Sequence, residues 1–340
     1  MTIRIALDAM GGDHGPSEIV PAAQAVLQEF SDLHLILVGR EPDLERLLQH
    51  GSFVPGERLQ VLHAPEVVEM HELPSAALRN KKQSSMRLAI ELVKDGAAHA
   101  CVSAGNTGAL MALARYILKM LPGVDRPAIC TTMPGLHGHT HLLDLGANVN
   151  PNSEQLFQFA VMGSELTSAV ENVAEPTVAL LNVGAEEIKG NDIVKQAALL
   201  LSQSYLNYVG FVEGNDIYSG KVDVIVCDGF SGNIALKASE GVAEFLSHHA
   251  KAEFEKSIYG RMAAMISMPI LKAIRRQIDP RRYNGASLLG LRGIVVKSHG
   301  SADKVSFAHA IEEAVHEVQK NVPERIASRL EAVLAQGAII

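Results

Sequence analysis

Residues 100–120 read Ala100-Cys101-Val102-Ser103-Ala104-Gly105-Asn106-Thr107-Gly108-Ala109-Leu110-Met111-Ala112-Leu113-Ala114-Arg115-Tyr116-Ile117-Leu118-Lys119-Met120. A short apolar run meets a glycine-bearing turn and passes straight into a helical periodicity. That is a buried strand feeding a helix, the repeating half of a βαβ unit. Four more turns of this kind follow apolar runs: Asp8-Ala9-Met10-Gly11-Gly12-Asp13-His14, Asp144-Leu145-Gly146-Ala147-Asn148, Gly184-Ala185-Glu186-Glu187-Ile188-Lys189-Gly190-Asn191 and Asp228-Gly229-Phe230-Ser231-Gly232-Asn233. In an open α/β sheet such turns gather at the carboxyl ends of the strands, where ligands bind. Five of them offering glycine amides, asparagine side chains and a lysine describe a pocket for an anion.

Outward from these turns the alternation continues. Runs at Ile3–Asp8, 33–38, 59–62, Ala100–Ser103, 128–132, 142–145, 178–182, 222–227 and 293–297 predict buried strands. Amphipathic stretches at 17–30, 84–94, 107–120, Ser153–Glu171, 192–204 and 302–319 predict helices between many of them, and Pro323 opens a last helix over 324–334. The pattern predicts an α/β fold, a three-layer α/β/α sandwich with a mostly parallel sheet covered on both faces, in one catalytic domain over 1–340. No internal repeat or low-complexity linker interrupts it. From Gly232 to about Arg276 the pattern stays helical without a strand, and Pro269 is expected to break or kink it into two helices or a hairpin. This helical protrusion, at about 245–285, holds eight basic against three acidic residues between Lys251 and Arg282.

The chain has 340 residues, enough for a large core, with 47% apolar and 20% charged residues. Thirty Lys and Arg against 38 Asp and Glu give a net charge of −8, which argues against nucleic acid as a partner. Cys101, Cys130 and Cys227 form no CxxC pair and sit in or beside apolar runs, the pattern of buried reduced thiols in a cytoplasmic protein. Residues 1–9 enter a strand directly, so no signal peptide is expected, and no apolar stretch reaches the ~18 residues of a membrane span.

The candidate chemistry lies in the turns. Ser103, Gly105, Asn106 and Thr107 open a helix whose free amides suit phosphate, with the Asn and Thr side chains as further donors. Lys189, in an acidic glycine-rich turn, is a candidate to neutralise phosphate or an oxyanion, or else a surface lysine paired with a nearby glutamate. Asn233, beside Gly232, either donates to a carbonyl oxygen or caps the helix it opens. Asp8, Gly11, Gly12, Asp13 and His14 frame the first turn; Asp144 and Asn148 touch substrate or hold their loop in place; His299 follows a strand into the same cleft. His137-Gly138-His139-Thr140-His141 has the look of a metal motif but is expected in an exposed turn, so no metal site and no cofactor are expected. There is no HExxH, GxSxG or GxGxxG, and Gly214 to Gly220-Lys221 has one residue too many for a P-loop.

On these turns, in this order and spacing, the chain resembles the bacterial phosphate acyltransferases of the PlsX type over essentially its full length. The resemblance implies a fold similar to phosphotransacetylases and isocitrate-dehydrogenase-like enzymes. It implies reversible transfer of a long-chain acyl group from acyl carrier protein to inorganic phosphate. The acyl phosphate formed serves phospholipid synthesis through a downstream acyl-phosphate-using glycerol-3-phosphate acyltransferase. It further implies a cytoplasmic homodimer associated peripherally with the inner membrane face, with Lys189 and Asn233 at the positions of catalysis. The protrusion, with Arg261, Met262, Met265, Ile266, Ile270, Lys272, Arg275 and Arg276, then becomes the contact for an acidic carrier protein or for lipid. The runner-up is a short-chain phosphotransacetylase acting on acyl-CoA.

Overall fold

A computed structural model describes residues 2–49, 56–278 and 283–335. The chain begins β1 (Ile3–Asp8), α1 (Pro16–Glu29), β2 (Leu33–Gly39), α2 (Glu41–Leu48), β3 (Leu59–His63), α3 (Pro74–Asn80), α4 (Ser85–Lys94), β4 (Ala100–Ser103) and α5 (Thr107–Leu118). It continues through β5 (Ala128–Pro134), β6 (His139–Leu143), α6 (Ser153–Glu171), β7 (Thr177–Leu181), α7 (Asp192–Ser202), β8 (Asn207–Val212) and β9 (Val224–Val226). Last come α8 (Gly229–Glu255), α9 (Ile258–Ile278), β10 (Ala286–Leu289), β11 (Ile294–Lys297), α10 (Lys304–Lys320) and α11 (Val322–Ala335). The helices begin at caps the sequence supplies: Asn106, Asn191, Asp228 and Asp303 accept from backbone amides, and Asn152 with Gln155 closes a capping box.

The strands form one sheet in the order β3-β2-β1-β4-β11-β10-β5-β6-β9-β7-β8. All neighbours are parallel except around β10 and β5, where β11–β10, β10–β5 and β5–β6 are antiparallel. Three successive antiparallel pairings reverse the strand direction across the middle of the sheet. The strands from β3 to β11 therefore point one way, and β6, β9, β7 and β8 point the other. Side chains alternate between the two faces. Ile5 and Leu7 of β1 pack with α1 and α10, and Leu143 of β6 packs with α6, α7 and α11. Ala6, Cys101, Val295 and Leu142 face the opposite layer, which α4 and α5 form with Ala235 and Leu236 of α8. The result is a sheet between two helical layers. The three cysteines are free and buried.

Three expectations are corrected. The short β10, the edge strand β8 and the helices α2 and α3 are absent from the sequence reading; β8 buries only Val212 and carries Gly210, so its apolar signal is weak. His139 and His141 lie within β6, paired with Pro134 and Thr132, rather than in an exposed turn; only His137 is left in the turn. Pro269 sits inside α9 without ending it, and the break between α8 and α9 comes instead at Lys256 and Ser257. A proline removes one amide donor, and a helix exposed on most sides accommodates that loss locally. Arg281 and Arg282 lie outside the described residues.

Phe159 of α6 is fully buried in the cluster that joins α6, α7 and α11 to the sheet. Phe159→Ala is expected to lower the unfolding free energy by about 3–5 kcal/mol in urea titrations. A loss below ~1 kcal/mol would show that this layer repacks freely.

Candidate active site

Three loops meet at the carboxyl ends of β1, β4 and β11. Alternation turns Asp8, Ser103 and Lys297 toward the α5 and α8 layer. Ser103 Oγ donates to Asp8 Oδ2 at 2.6 Å and accepts from the Gly105 amide at 3.1 Å. A Cβ on Gly11 would lie 2.7 Å from both Asp8 Oδ2 and the Gly105 nitrogen, so the first two turns touch only because residue 11 has no side chain. The Asp13 amide donates to the Gly300 carbonyl at 2.8 Å, which ties in the third loop. Gly12 has φ 86° where it passes under Gly300.

The other turns leave from the opposite edge of the sheet, since β6, β7 and β9 run the other way. Asp144 is fully buried and accepts from the amides of Ile129, Ala147 and Asn148. The Asn148 side chain donates to the Pro127 carbonyl at 2.8 Å and to Asp144 at 3.0 Å. The pair fixes the loop after β6. The first turn of α8 lies directly on it: a Cβ on Gly232 would come within 2.0 Å of the Asp144 carbonyl oxygen. Asp228 caps α8 through the Ser231 amide, which leaves Asn233 free of that role, exposed beside Gly146. From there α8 runs back across the sheet face until Lys237 Nζ stands 3.2 Å from His299 Nε2.

Both sets of loops thereby border one cavity of about 1460 Å³. One end holds Thr107, Lys237, Lys297 and His299; Ile129, Met133, Phe230, Leu236, Val242 and Leu246 form much of the wall, and Asn233 lies on the α8 side. Burial pushes the Lys297 ammonium down to about 8; Asp8 opposes that shift and Lys237 adds to it. Lys297 donates to the carbonyls of Ala104, at 3.4 Å, and Ser298. Burial pushes the Asp8 carboxyl up, against the bond from Ser103, and its Oδ1 has no hydrogen-bond partner among the described residues. Burial, then Lys237 and Lys297, push His299 down, against Glu240 and Asp13. Such an end suits a multiply charged anion.

The structure unites Ser103, Gly105, Asp8, Gly11 and Gly12 in one glycine-lined cluster, and it sets Thr107, His299 and Asn233 on the cavity. It corrects other expectations. The Asn106 amide is not a free donor, because it holds the carbonyls of Met70 and Glu72 at 2.8 and 2.9 Å while its oxygen caps α5. Asp144 and Asn148 are consumed in holding their loop. Asp13 and His14 are exposed outside the cavity lining. Lys189 also lies outside that lining, in the turn after β7, its stem against Gly184 and its ammonium 2.8 Å from Glu186. The five turns do not converge from one edge, because the sheet reverses direction between them. Lys297 and Lys237 escaped the sequence reading, although a lysine closing an otherwise apolar strand was a legible signal. Among the described residues the one trio of candidate metal ligands, His139, His141 and Glu171, is on the other face of the sheet.

A model of the family described as "Fatty acid synthesis protein" matches residues 3–325. The chain is 61% identical over 331 residues to a phosphate acyltransferase of Methylococcus capsulatus, covering 97% of this chain and 98% of the relative. It is 56% identical over 340 residues to a phosphate acyltransferase of Nitrosococcus oceani, covering 100% of each. Its fold is similar to that of a phosphotransacetylase from Streptococcus pyogenes, with a TM-score of 0.61, 17% identity and 94% of each chain covered.

The depressed Lys297 ammonium gives a signed test. Its ordinary value is 10.5 and its folded value about 8. Between these the unfolded chain holds the proton and the native state does not, so stability rises with pH across that window, and below it the full cost of the buried charge remains. The unfolding free energy of the wild type minus that of Lys297→Met is expected to increase from pH 8 to 10. A flat difference would mean that the ammonium is solvated.

Proposed function

We propose, on the premise that this chain belongs to the fatty acid synthesis protein family and is a phosphate acyltransferase, that it moves a long-chain acyl group from the thioester of acyl carrier protein to inorganic phosphate. The reaction is reversible and yields acyl phosphate for phosphatidic acid synthesis. One observation carries this reading: a single cavity joins a cationic end to an apolar wall, and its volume of about 1460 Å³ far exceeds what phosphate needs. A ligand with an anionic head and a long apolar tail fits both parts. A short acyl group would leave most of the apolar wall uncovered.

Hydrogen phosphate is a competent nucleophile at pH 7, so the chemistry needs no serine or cysteine nucleophile. In the reading proposed here, Lys237, Lys297, His299 and Thr107 hold the phosphate. One phosphate oxygen attacks the thioester carbonyl, a tetrahedral oxyanion forms, and the carbon–sulfur bond breaks as the carbonyl returns. The proton of hydrogen phosphate balances the thiol released. Asn233, on the first turn of α8, donates to the carbonyl oxygen as charge develops there, a role worth about 3–4 kcal/mol for one such donor. Positioning the two reactants supplies up to ~7–11 kcal/mol more in favourable cases. Lys189 enters through the resemblance. Its strand, β7, adjoins β9, from which α8 departs, while its ammonium is paired with Glu186 outside the cavity lining.

The α8–α9 hairpin is the proposed docking surface of this single catalytic domain. Met262, Met265, Ile266 and Ile270 are exposed, Met265 and Ile266 by 75% and 77%. Arg261 stands exposed beside them; the side chains of Lys272, Arg275 and Arg276 lie outside the described residues. No helix among the described residues is long and apolar enough to cross a membrane. A basic apolar tip suits peripheral contact with an anionic inner leaflet, where a glycerol-3-phosphate acyltransferase takes up the product, and the same charge steers an acidic carrier protein. A homodimer completes this reading.

With purified protein, acyl phosphate is expected to form from long-chain acyl carrier protein and phosphate, and far more slowly from short-chain acyl-CoA. The reverse preference would establish the short-chain phosphotransacetylase. Asn233→Ala is expected to lower kcat about 10²–10³-fold, and Lys189→Ala to cripple turnover with the fold intact by circular dichroism. Near-normal rates would remove the residue concerned from the mechanism.

Paired replacements Met265→Ser/Ile266→Ser and Arg275→Glu/Arg276→Glu are expected to weaken sedimentation with anionic vesicles. The charge reversal should also weaken carrier-protein binding at low salt. Unchanged binding in both assays would make the hairpin a solvated surface.

A further inference from the structure

We infer that His139, His141 and Glu171 form a binding site for a divalent transition-metal ion of the zinc class, on the face of the sheet opposite the substrate cavity. Alternation along β6 puts residues 139 and 141 on the side of Leu143, and Leu143 packs with α6. Glu171 is the last residue of α6, so its carboxylate meets the two rings where that helix ends. His139 Nε2 lies 2.8 Å and His141 Nε2 3.7 Å from Glu171 Oε1, and the three ligand atoms lie within 4.8 Å of one another. Tetrahedral zinc with bonds of ~2.0–2.1 Å holds its ligand atoms about 3.3–3.4 Å apart. The two measured separations bracket that value.

His141 supplies the independent observation. Its side chain is 3% exposed, and its Nε2 has no hydrogen-bond partner among the described residues. The other ring nitrogen, Nδ1, lies 3.3 Å from Thr132 Oγ1. With the proton on Nδ1 toward that hydroxyl, the Nε2 lone pair is aimed at the space between His139 and Glu171, as a second-shell contact orients a metal-bound imidazole. An ion pair between His139 and Glu171 accounts for those two side chains, whereas the buried His141 Nε2, 3.7 Å from the same carboxylate oxygen, is left without a hydrogen bond. A cation between all three satisfies each of them.

Glu313 of α10, half-buried, is close enough to act on both Glu171 and His139. The nearby Asp223 is committed elsewhere, since its Oδ2 accepts from the Thr177 amide and hydroxyl. His139 and Glu171 remain 34% and 32% exposed, which gives the ion a path from solvent and leaves a coordination position for water. Two imidazoles and a carboxylate with an open fourth position match the donor preferences of zinc and exclude calcium or magnesium, which take oxygen.

The test uses tag-free, full-length protein stripped with chelator and titrated with Zn²⁺ against a chromophoric competitor. One ion is expected per chain. His139→Ala and Glu171→Gln should weaken it at least ~10–100-fold, and Thr132→Val, which keeps all three ligands, should weaken it within that range. Co²⁺ should give the intense visible bands of a tetrahedral site in the wild type and lose them in His139→Ala. Circular dichroism checks that each variant is folded. No Zn²⁺ uptake by the wild type, or equal uptake by the folded variants, overturns the site and leaves a histidine–glutamate ion pair only.

Discussion

Everything at the cavity depends on how the first turn of α8 rests on the loop after β6. The reversal of strand direction at β10 and β5 sends the two families of turns to opposite edges of the sheet, so no arrangement of the strands alone brings them together. The helix does it. Because residue 232 has no Cβ, α8 starts in contact with the Asp144 carbonyl, and Asp144 is itself held by three backbone amides. Leaving from that fixed point, the helix places Asn233 and, one turn on, Lys237 on the same cavity, with Lys237 reaching His299. Two half-sites that the sheet separates become one site through a single element.

The electrostatics of the cavity follow from burial in the middle of that arrangement. Lys297 closes a strand whose every residue is buried, so its charge is expensive unless Asp8 or an anion balances it. Asp8 is itself desolvated and spends one oxygen on Ser103, which limits what it returns. An ammonium that the fold only partly compensates gains the most when a phosphate arrives. Lys237 and His299 extend the same end, where Glu240, held by Lys237 at 2.7 Å, and the nearby Asp13 and Asp303 are the carboxylates.

Most of the fold was legible because the strands of a covered sheet are apolar throughout and the turns between them are rich in glycine. What escaped were elements without that contrast: a four-residue antiparallel strand, an edge strand half exposed to solvent, and two short helices. Strand direction mattered most: β5 and β6 were both expected, but their antiparallel pairing turns β6, β9, β7 and β8 round, and without it five similar turns read as one convergent set. Candidate residues were found by type and place, but type does not show which polar atoms are already engaged. Asn106, Asp144 and Asn148 have the chemistry of ligand-binding groups and spend it on backbone. Lys297 has the same chemistry and lay inside a predicted strand, where a lysine costs too much to be decorative.

The apolar part of α8 joins the cavity to the surface. Leu236, Val242 and Leu246 line the cavity from one side of this helix, and Phe245 is exposed on its outer turn. Beyond the break at Lys256 and Ser257, Ile258, Tyr259, Met262, Met265 and Ile266 continue as exposed apolar side chains on α9. A monomer in water gains nothing from so long an apolar strip, and large exposed patches mark interaction sites. Under the proposed chemistry the strip has a physical reason. The acyl chain must travel from a carrier protein into the cavity and onward toward lipid, and each methylene exposed to water on the way costs about 0.8 kcal/mol. On the proposed reading, the apolar side chains of α8 and α9 cover methylenes on that route while the phosphate end stays among the lysines.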